Sequence, residues 1–175
     1  MIIGFSGCGK STLAQRLGTI LGIEPTHMDA LHWLPNWTES SDEHKIKLLT
    51  PVLDKERWII EGSYRRILWH ERIEAADTVI FLDYNRFLCL WRVIKRRIIY
   101  NNKTRPDMGK DCKEKLDAEF LRWVLLDGRK KRGKLYSELE KIKETYPNKK
   151  IYIFRRSRDA EKLLTHINTE GIEIK

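Results

Sequence analysis

The chain has 175 residues, of which 41% are hydrophobic and 34% charged, which predicts one soluble globular domain, residues 1–175, with a sizeable core. No apolar run approaches the ~20 residues that cross a bilayer, and three widely spaced cysteines exclude a disulfide framework or a cysteine metal cluster, so we expect a cytoplasmic protein. The net charge of +9 is concentrated in residues 85–175, which carry 25 Lys/Arg against 13 Asp/Glu, as in proteins that bind nucleic acid or a polyanionic small ligand, although a solvated basic surface is also compatible.

The first dozen residues carry the most specific motif. Met1-Ile2-Ile3 is typical of a buried strand, and the segment from Gly4 to Ser11, GFSGCGKS, fits the pattern G-x-x-x-x-G-K-[ST]. Its glycines allow the backbone to curl into a ring of N–H groups that binds phosphate. Lys10 is expected to reach the β- and γ-phosphates of a nucleotide, and the Ser11 hydroxyl to ligate Mg²⁺. The predicted nucleotide-binding residues of this segment are Ser6, Gly7, Cys8, Gly9, Lys10, Ser11 and Thr12.

A helix follows this loop, because apolar residues recur at helical spacing from Leu13 to Leu21 and Gly22 is a plausible stop. The phosphate-binding motif requires the order strand, loop, helix, and the sequence shows that order. The alternative interpretation is a glycine-rich turn that binds no ligand. We expect no signal peptide, because the first strand begins at once. The brevity of that strand leaves open a start of translation further upstream.

The next elements alternate in type. We predict a strand at 23–28 that ends at Asp29, an aromatic-rich loop at 30–37 and a helix at 41–55 capped by Ser40 or Ser41. Further strands are predicted at 58–62, 77–83 and 150–154, and further helices at 86–100, 116–126, 135–146 and from about 158 to before Gly171. The helix at 86–100 carries an apolar stripe of Phe87, Trp91, Ile94 and Ile98. Residues 101–116 have no apolar periodicity and are predicted to form a polar segment between two helices.

Alternating strands and helices predict an α/β fold with a parallel sheet, in which ligands bind outside the carboxyl ends of the strands. That rule brings together the Gly4–Thr12 loop, Asp29, Glu61, Asp83 and Arg155. Phosphoryl transfer needs an anion cradle, Mg²⁺, a positioned acceptor and positive charge.

Asp29 is the best carboxylate for the metal or for an acceptor hydroxyl, although it could instead form a turn or a cap. Glu61 is a second candidate for the metal site, and Gly62 beside it would allow a ligand to approach the backbone closely. Asp83 is assigned a structural role. Arginines bind phosphate oxygens in a bidentate manner, but any one of them could equally lie on a solvated face. The arginine candidates are Arg65, Arg66, Arg92, Arg96, Arg97, Arg105 and Arg155. An acceptor pocket could be walled by His27, His32, Trp33 and Trp37.

The chain resembles the adenylate-kinase-related P-loop proteins of the DNA topology modulation (FlaR-like) group over about residues 1–164. The resemblance lies in GFSGCGKSTLA, HMDALHW with Pro35 and Trp37, WIIEGSY, ADTVIFLDYNRFLCLWRVIKRR, KTRPDM, LDAEFLRWV and RSR at 156–158. It implies a nucleoside/nucleotide-kinase-like α/β/α architecture with a five-stranded parallel sheet in the order 2-3-1-4-5 and a mobile lid at about 101–115. It also implies that Arg92, Arg96 and Arg97 face ATP, that Arg105 lies in the lid, and that Arg156 lies near the base.

The chain departs from adenylate kinases in two places. Glu61-Gly62-Ser63-Tyr64-Arg65 replaces the usual Asp-Gly-hydrophobic-Pro-Arg, and the acceptor segment is short and rich in tryptophan, which argues against AMP as acceptor. Cys8 stands where Ser or Ala is commoner and would be sensitive to oxidation if exposed.

We therefore expect an ATP- and Mg²⁺-dependent phosphotransferase. Lys10, Asp29, Arg92, Arg96 and Arg105 form its predicted catalytic set. Ser11 and Asp29 are the predicted metal residues. The predicted acceptor site consists of Asp29, His32, Trp33, Trp37, Glu61, Gly62 and Arg65.

The alternatives are a DNA-associated regulator that uses nucleotide binding as a switch and a bare ATPase. No helix-turn-helix, zinc or RNA-binding pattern supports a nucleic-acid role. The acceptor and the oligomeric state cannot be read from the sequence.

Overall fold

The structure is a computed structural model that describes residues 1–109, 111–113 and 116–170. Its strands are β1 (Ile2–Gly4), β2 (Pro25–His27), β3 (Trp33–Leu34), β4 (Thr38–Glu39), β5 (Ile59–Glu61), β6 (Thr78–Leu82) and β7 (Lys150–Phe154). Its helices are α1 (Lys10–Leu21), α2 (Met28–His32), α3 (Asp42–Leu53), α4 (Trp69–Ala75), α5 (Arg86–Ile99), α6 (Ala118–Leu125), α7 (Arg132–Thr145) and α8 (Ser157–Glu170). Within these described residues, none of the helices has the length and apolar content that crossing a bilayer requires.

Five strands form one parallel sheet in the order β2-β5-β1-β6-β7, which is 2-3-1-4-5 when only the strands of this sheet are numbered. The α/β class and the parallel sheet predicted from the sequence are confirmed. Strands β3 and β4 form a separate antiparallel hairpin.

The sheet is covered on both faces, which explains the nearly continuous apolar strands. On one face, Ile80 and Leu82 of β6 pack with residues of α1, α5 and α8. On the other face, Val79 and Phe81 pack with residues of α4 and α7. Successive side chains of a strand point to opposite faces, so one five-residue strand serves both cores.

Local sequence signals account for four of the helix ends. Ser41 accepts a hydrogen bond from the His44 N–H and caps α3, and Asn85 and Asp117 cap α5 and α6 in the same way. Gly22 ends α1 in the left-handed conformation with φ 67°. The predicted helix starts of α3 and α5 therefore agree with the structure to within one residue.

Three regions differ from the predictions. The predicted loop at 30–37 contains most of α2, which begins at Met28, and one strand of the hairpin, whose turn places Asn36 and Trp37 at φ 59° and 62°. Helix α4 was not predicted, because its seven residues are mostly polar or charged and include Arg72, which is fully buried. Helix α7 also begins at Arg132, three residues before the predicted start.

The apolar stripe of α5 lies on the surface. Its four residues are 40–72% exposed, whereas Cys89 and Val93 on the opposite side of the helix are fully buried. A Cβ atom at Gly7 would come within 2.5 Å of the Cys89 carbonyl oxygen and 2.8 Å of Val93. Close packing of α5 on the glycine-rich loop therefore selects the side of α5 with the smaller residues.

Candidate functional site

The glycine-rich loop joins β1 to α1 and presents backbone donors to the carboxyl end of the sheet. Gly7 and Gly9 have φ values of 75° and 91°, which favour glycine, and Cys8 N–H donates to the Phe5 carbonyl at 3.3 Å. Among the described residues, no side chain caps the N-terminus of α1, where Gly9 is the cap residue. The N–H groups of the first turn are therefore available to an anionic ligand.

Lys10 is the first residue of α1 and is half-buried. Its ammonium group donates to the Phe5 carbonyl at 3.2 Å, so the side chain folds back over the loop. Burial lowers the pKa of Lys10, but Cys8, Glu61 and Asp29 oppose this effect and leave the pKa above its ordinary value. Lys10 therefore stays positively charged at neutral pH beside the loop.

Ser11, Glu61 and His27 form a hydrogen-bonded chain at the ends of adjacent elements. The Ser11 hydroxyl donates to Glu61 Oε1 at 3.0 Å, and His27 Nδ1 lies 3.0 Å from the same oxygen. Parallel pairing of β2 with β5 places His27 directly beside Glu61, which is 2% exposed. Burial lowers the pKa of His27, but its hydrogen bond to Glu61 and the charge of Glu61 outweigh burial and raise the pKa.

Asp29 lies in the first turn of α2 and is held by Tyr64, whose hydroxyl donates to Asp29 Oδ1 at 2.7 Å. Burial, together with the charge of Asp29, raises the pKa of Tyr64, so this hydroxyl remains a donor. Asp29 is also close enough to raise the pKa of Lys10. Ser11 and Asp29, the two predicted metal residues, therefore have different hydrogen-bond partners. Ser11 is bonded to Glu61, and Asp29 is bonded to Tyr64.

Aromatic rings pack in a row that starts at Tyr64, the residue bonded to the Asp29 carboxylate. The His32 ring packs against Tyr64 at 4.8 Å and against Trp33 at 4.5 Å between centroids, and Trp33 packs edge-on against Trp37 at 5.4 Å. At Gly62 φ is 130°, and a Cβ atom there would lie 2.6 Å from Met28 Cβ, so the loop after β5 packs tightly beneath α2.

Arg92 and Arg96 of α5 both lie near the loop. Arg92 donates to the Cys8 carbonyl at 2.9 Å and to the Ser157 hydroxyl at 2.8 Å, so it links the loop to the start of α8. Arg96 is close enough to Lys10 to lower the pKa of Lys10, and its guanidinium lies 6.0 Å from the Phe120 ring centroid. Ser157 was not predicted as a site residue, because its role depends on a contact between residues 65 positions apart.

Other predicted residues lie further from this cluster. Arg97 is bonded to Asn101 at the end of its own helix, and the exposed Arg156 contributes its backbone N–H to Asp159 at 3.0 Å. Asp83 accepts hydrogen bonds from Arg132 and Tyr136, which agrees with its predicted structural role.

Arg65, which the sequence places in the acceptor site, makes its contacts with α4 and α7. Its guanidinium forms an ion pair with Glu138 of α7 and lies 5.0 Å from the Trp69 ring centroid of α4. The arginine that supports this loop is instead the buried Arg72, which donates to the carbonyls of Gly62 and Tyr64. Sequence reasoning missed Arg72 because it did not identify α4.

The predicted lid packs over the aromatic residues. Trp37 Nε1 donates to the Lys113 carbonyl at 2.8 Å, and the Cys112 thiol donates to the Leu34 carbonyl at 3.2 Å. A Cβ atom at Gly109 would lie 1.9 Å from the Trp33 carbonyl oxygen, so only glycine fits there. Residues 110, 114 and 115 of the predicted lid lie outside the described residues.

Two residues of this segment lie at the site. Arg105 is 8% exposed and forms an ion pair with Asp107 at 2.9 Å, and Asp107 contributes to the raised pKa of His27.

In the described part of the chain, no group of three or more His, Cys, Asp or Glu side chains could hold a metal ion. The three cysteines are buried and form no disulfide.

Comparison with known proteins identifies the fold. No family model and no curated protein matches the chain. Among solved structures, a shikimate kinase from Acinetobacter baumannii, in complex with shikimate, matches with a TM-score of 0.58 over 99% of this chain and 93% of that chain. The two sequences are 20% identical, so the match shows a shared P-loop kinase-like fold. Membership of the topology modulation group is not confirmed.

Proposed function

We propose that this protein is an ATP- and Mg²⁺-dependent phosphotransferase that transfers the γ-phosphate of ATP to a hydroxyl group of a small molecule. The observation that carries the proposal is the joint position of the uncapped glycine-rich loop, the Ser11–Glu61 pair and the Asp29–Tyr64 pair around Lys10. The kinase-like fold supports it, and the acceptor is the open question.

The donor half needs positive charge where negative charge develops. Backbone N–H groups of residues 7–12, Lys10, Arg92 and Arg96 supply it in our proposal. Arg92 already contacts the Cys8 carbonyl and Ser157, so it would need to move little to reach a phosphate oxygen. Its planar fork can bind two oxygens at once.

Ser11 and Glu61 fit a Mg²⁺ ion. Mg²⁺ prefers oxygen ligands and is usually bound through one or two protein oxygens, waters and phosphates, and these two residues place a hydroxyl beside a buried carboxylate. When bound, the ion would neutralise charge on the phosphates. His27 contacts the same Glu61 oxygen as Ser11 and so helps to fix the orientation of the carboxylate.

Asp29 is proposed to act on the acceptor. The acceptor hydroxyl would donate its proton to Asp29 as its oxygen forms the new bond to the γ-phosphorus, and the bond from that phosphorus to the bridging oxygen of ADP breaks. Tyr64 positions the carboxylate, and His32, Trp33 and Trp37 would pack against an apolar or ring-shaped part of the acceptor. Segment 101–113, with Arg105, would close the site and exclude water.

The test is a screen of nucleosides, nucleoside monophosphates and small hydroxy compounds, shikimate included, for acceptor-dependent ADP formation. We expect at least one acceptor to stimulate turnover, Lys10→Ala to abolish it, and Asp29→Asn to retain ATP binding while losing most of the acceptor-dependent rate. Lys10→Ala with normal turnover would contradict the proposal.

The DNA-associated alternative rests on the basic half of the chain. Part of that positive charge already has a partner within the chain. Arg92 binds the glycine-rich loop, and Arg132 forms an ion pair with Asp83. Arg122 and Lys130 form ion pairs with Asp127. Binding to DNA through the remaining charge would weaken steeply with salt. Sequence-selective DNA binding that resists salt, without acceptor-dependent turnover, would favour the regulator.

A further inference from the structure

The outer side of α5 is an exposed apolar stripe. Phe87, Trp91, Ile94 and Ile98 are 68%, 56%, 40% and 72% exposed. At 3.6 residues per turn they form one line along the helix, and the buried Cys89 and Val93 lie on the other side. The stripe therefore points directly away from the body of the protein.

The stripe is as large as the largest apolar patches of typical monomers. Four side chains of this size and exposure leave on the order of 500 Å² of apolar surface in water, and the largest patch on a typical monomer is about 300–600 Å² and often functional. A standard interface buries about 800 Å² per partner. The flanking residues of α5 can supply the remainder, so the area suits a helix-to-helix interface.

The spacing of the stripe favours a symmetric partner. Successive residues are four, three and four positions apart, which is the spacing of a coiled-coil seam. This order is the same in both directions, so an antiparallel copy of the helix places Phe87 opposite Ile98 and Trp91 opposite Ile94. Two-fold symmetry requires such reciprocal pairs, and two-fold dimers are the commonest oligomers.

We propose that α5 packs antiparallel against α5 of a second copy of this chain, about a two-fold axis between positions 92 and 93. The homodimer would bury the stripe of both copies. The proposal is independent of the catalytic function, although α5 also carries Arg92, which binds the glycine-rich loop.

Charge is the main argument against self-association, because residues 86–99 contain five Lys/Arg and no Asp or Glu. The antiparallel register moderates it, because two-fold symmetry brings the same flank of the two helices together. Lys95 then meets the flank of the second copy that carries Leu88, and Arg97 meets the flank that carries Leu90. The Lys95 ammonium lies 5.1 Å from the Trp91 ring centroid, at the edge of the stripe. Arg92 is turned toward the loop.

The test is sedimentation equilibrium of the full chain over a wide range of concentrations. We expect the mass of two chains for the wild type and of one chain for Ile98→Glu, which would bury two unpaired carboxylates. The matched control is Ile99→Glu, since Ile99 is 56% exposed but lies off the stripe, where a carboxylate would lie one turn from Lys95 of its own helix. Thermal unfolding verifies that both variants fold.

A mixing experiment tests the register. Trp91→Cys and Ile94→Cys, mixed under oxidising conditions, should form a disulfide-linked heterodimer faster than either forms a homodimer, and the native cysteines are buried. A wild type that stays monomeric at all concentrations would overturn the proposal. A monomer that binds vesicles of anionic phospholipid through the stripe, or loss of the dimer in both glutamate variants, would overturn it as well.

Discussion

Glu61→Gln is the most informative single substitution, because Glu61 joins the β5 end to both Ser11 and His27. Glutamine keeps the shape and one acceptor oxygen but removes the charge. Both groups of the Glu61–His27 pair are shielded, with side chains 2% and 13% exposed, so solvent screens their attraction only weakly.

The size of the effect follows from this burial. A hydrogen bond to a charged group contributes about 1.5–3 kcal/mol, and the bond between His27 and Glu61 has good length at 3.0 Å. At about 2 kcal/mol, the Tm of a chain of this size falls by roughly 4–8 °C. We expect this loss at a pH where His27 is protonated.

The loss depends on pH in a predictable direction. The pKa of His27 is raised in the folded protein, above an ordinary value of 6.5, chiefly by Glu61 acting against burial. The stabilisation that the Glu61–His27 pair contributes is therefore complete below pH 6.5, and it disappears as the pH rises through the pKa of His27 in the folded protein. In Glu61→Gln burial is opposed only by the charges of Asp107 and Asp29, so that variant should gain less stability than the wild type as the pH falls toward 6.5.

The assay is urea or thermal unfolding of both proteins across this pH range. The control is Glu161→Gln, which removes a carboxylate from an exposed ion pair with Arg16 and should change the midpoint little. A difference between wild type and Glu61→Gln that is constant with pH, or larger in alkali, would refute the assigned role of the pair.

Three further predictions concern the rest of the site. Tyr64→Phe removes the donor to the Asp29 carboxylate and should cost about 1.5–3 kcal/mol of stability. It should lower kcat more than it changes the KM of ATP, as steady-state kinetics would show; an unchanged kcat would contradict the positioning role. Gly109→Ala should displace segment 101–113 from Trp33, and tryptophan fluorescence and a lower kcat/KM would report it; wild-type values for both would exclude the packing described. Cys8 is fully buried and burial raises its pKa to about 11, so iodoacetamide should modify it only after unfolding, whereas rapid labelling of the native protein would be inconsistent with this.

Much of the donor half could be predicted from the sequence, because it depends on local chemistry. The positive φ values at Gly7 and Gly9 and the position of Lys10 at the start of α1 follow from a contiguous motif. The parallel sheet then brings strand ends together, which is why Asp29 and Glu61 could be placed near the loop without coordinates.

Contacts between distant segments could not be predicted in the same way. Arg65 and Arg72 are seven residues apart, and only the packing of α4 against α7 decides that the first binds Glu138 while the second supports the Tyr64 loop. Equally, the sequence offers Asp29 and Glu61 as carboxylates near Ser11, and only the tertiary structure places Glu61 within 3.0 Å of the Ser11 hydroxyl.

The stripe of α5 illustrates the difference between what the sequence determines and what the tertiary structure decides. Its spacing determines a helix with one strongly apolar side, and a 3.6-residue period carries no information about what that side contacts. The choice is made by Gly7, since close approach to the loop requires the small Cys89 and Val93 side to face inward. The sequence by itself determined the phosphate loop, the helix and the sheet, and the packing of α5 on that loop decided that its largest apolar residues face outward.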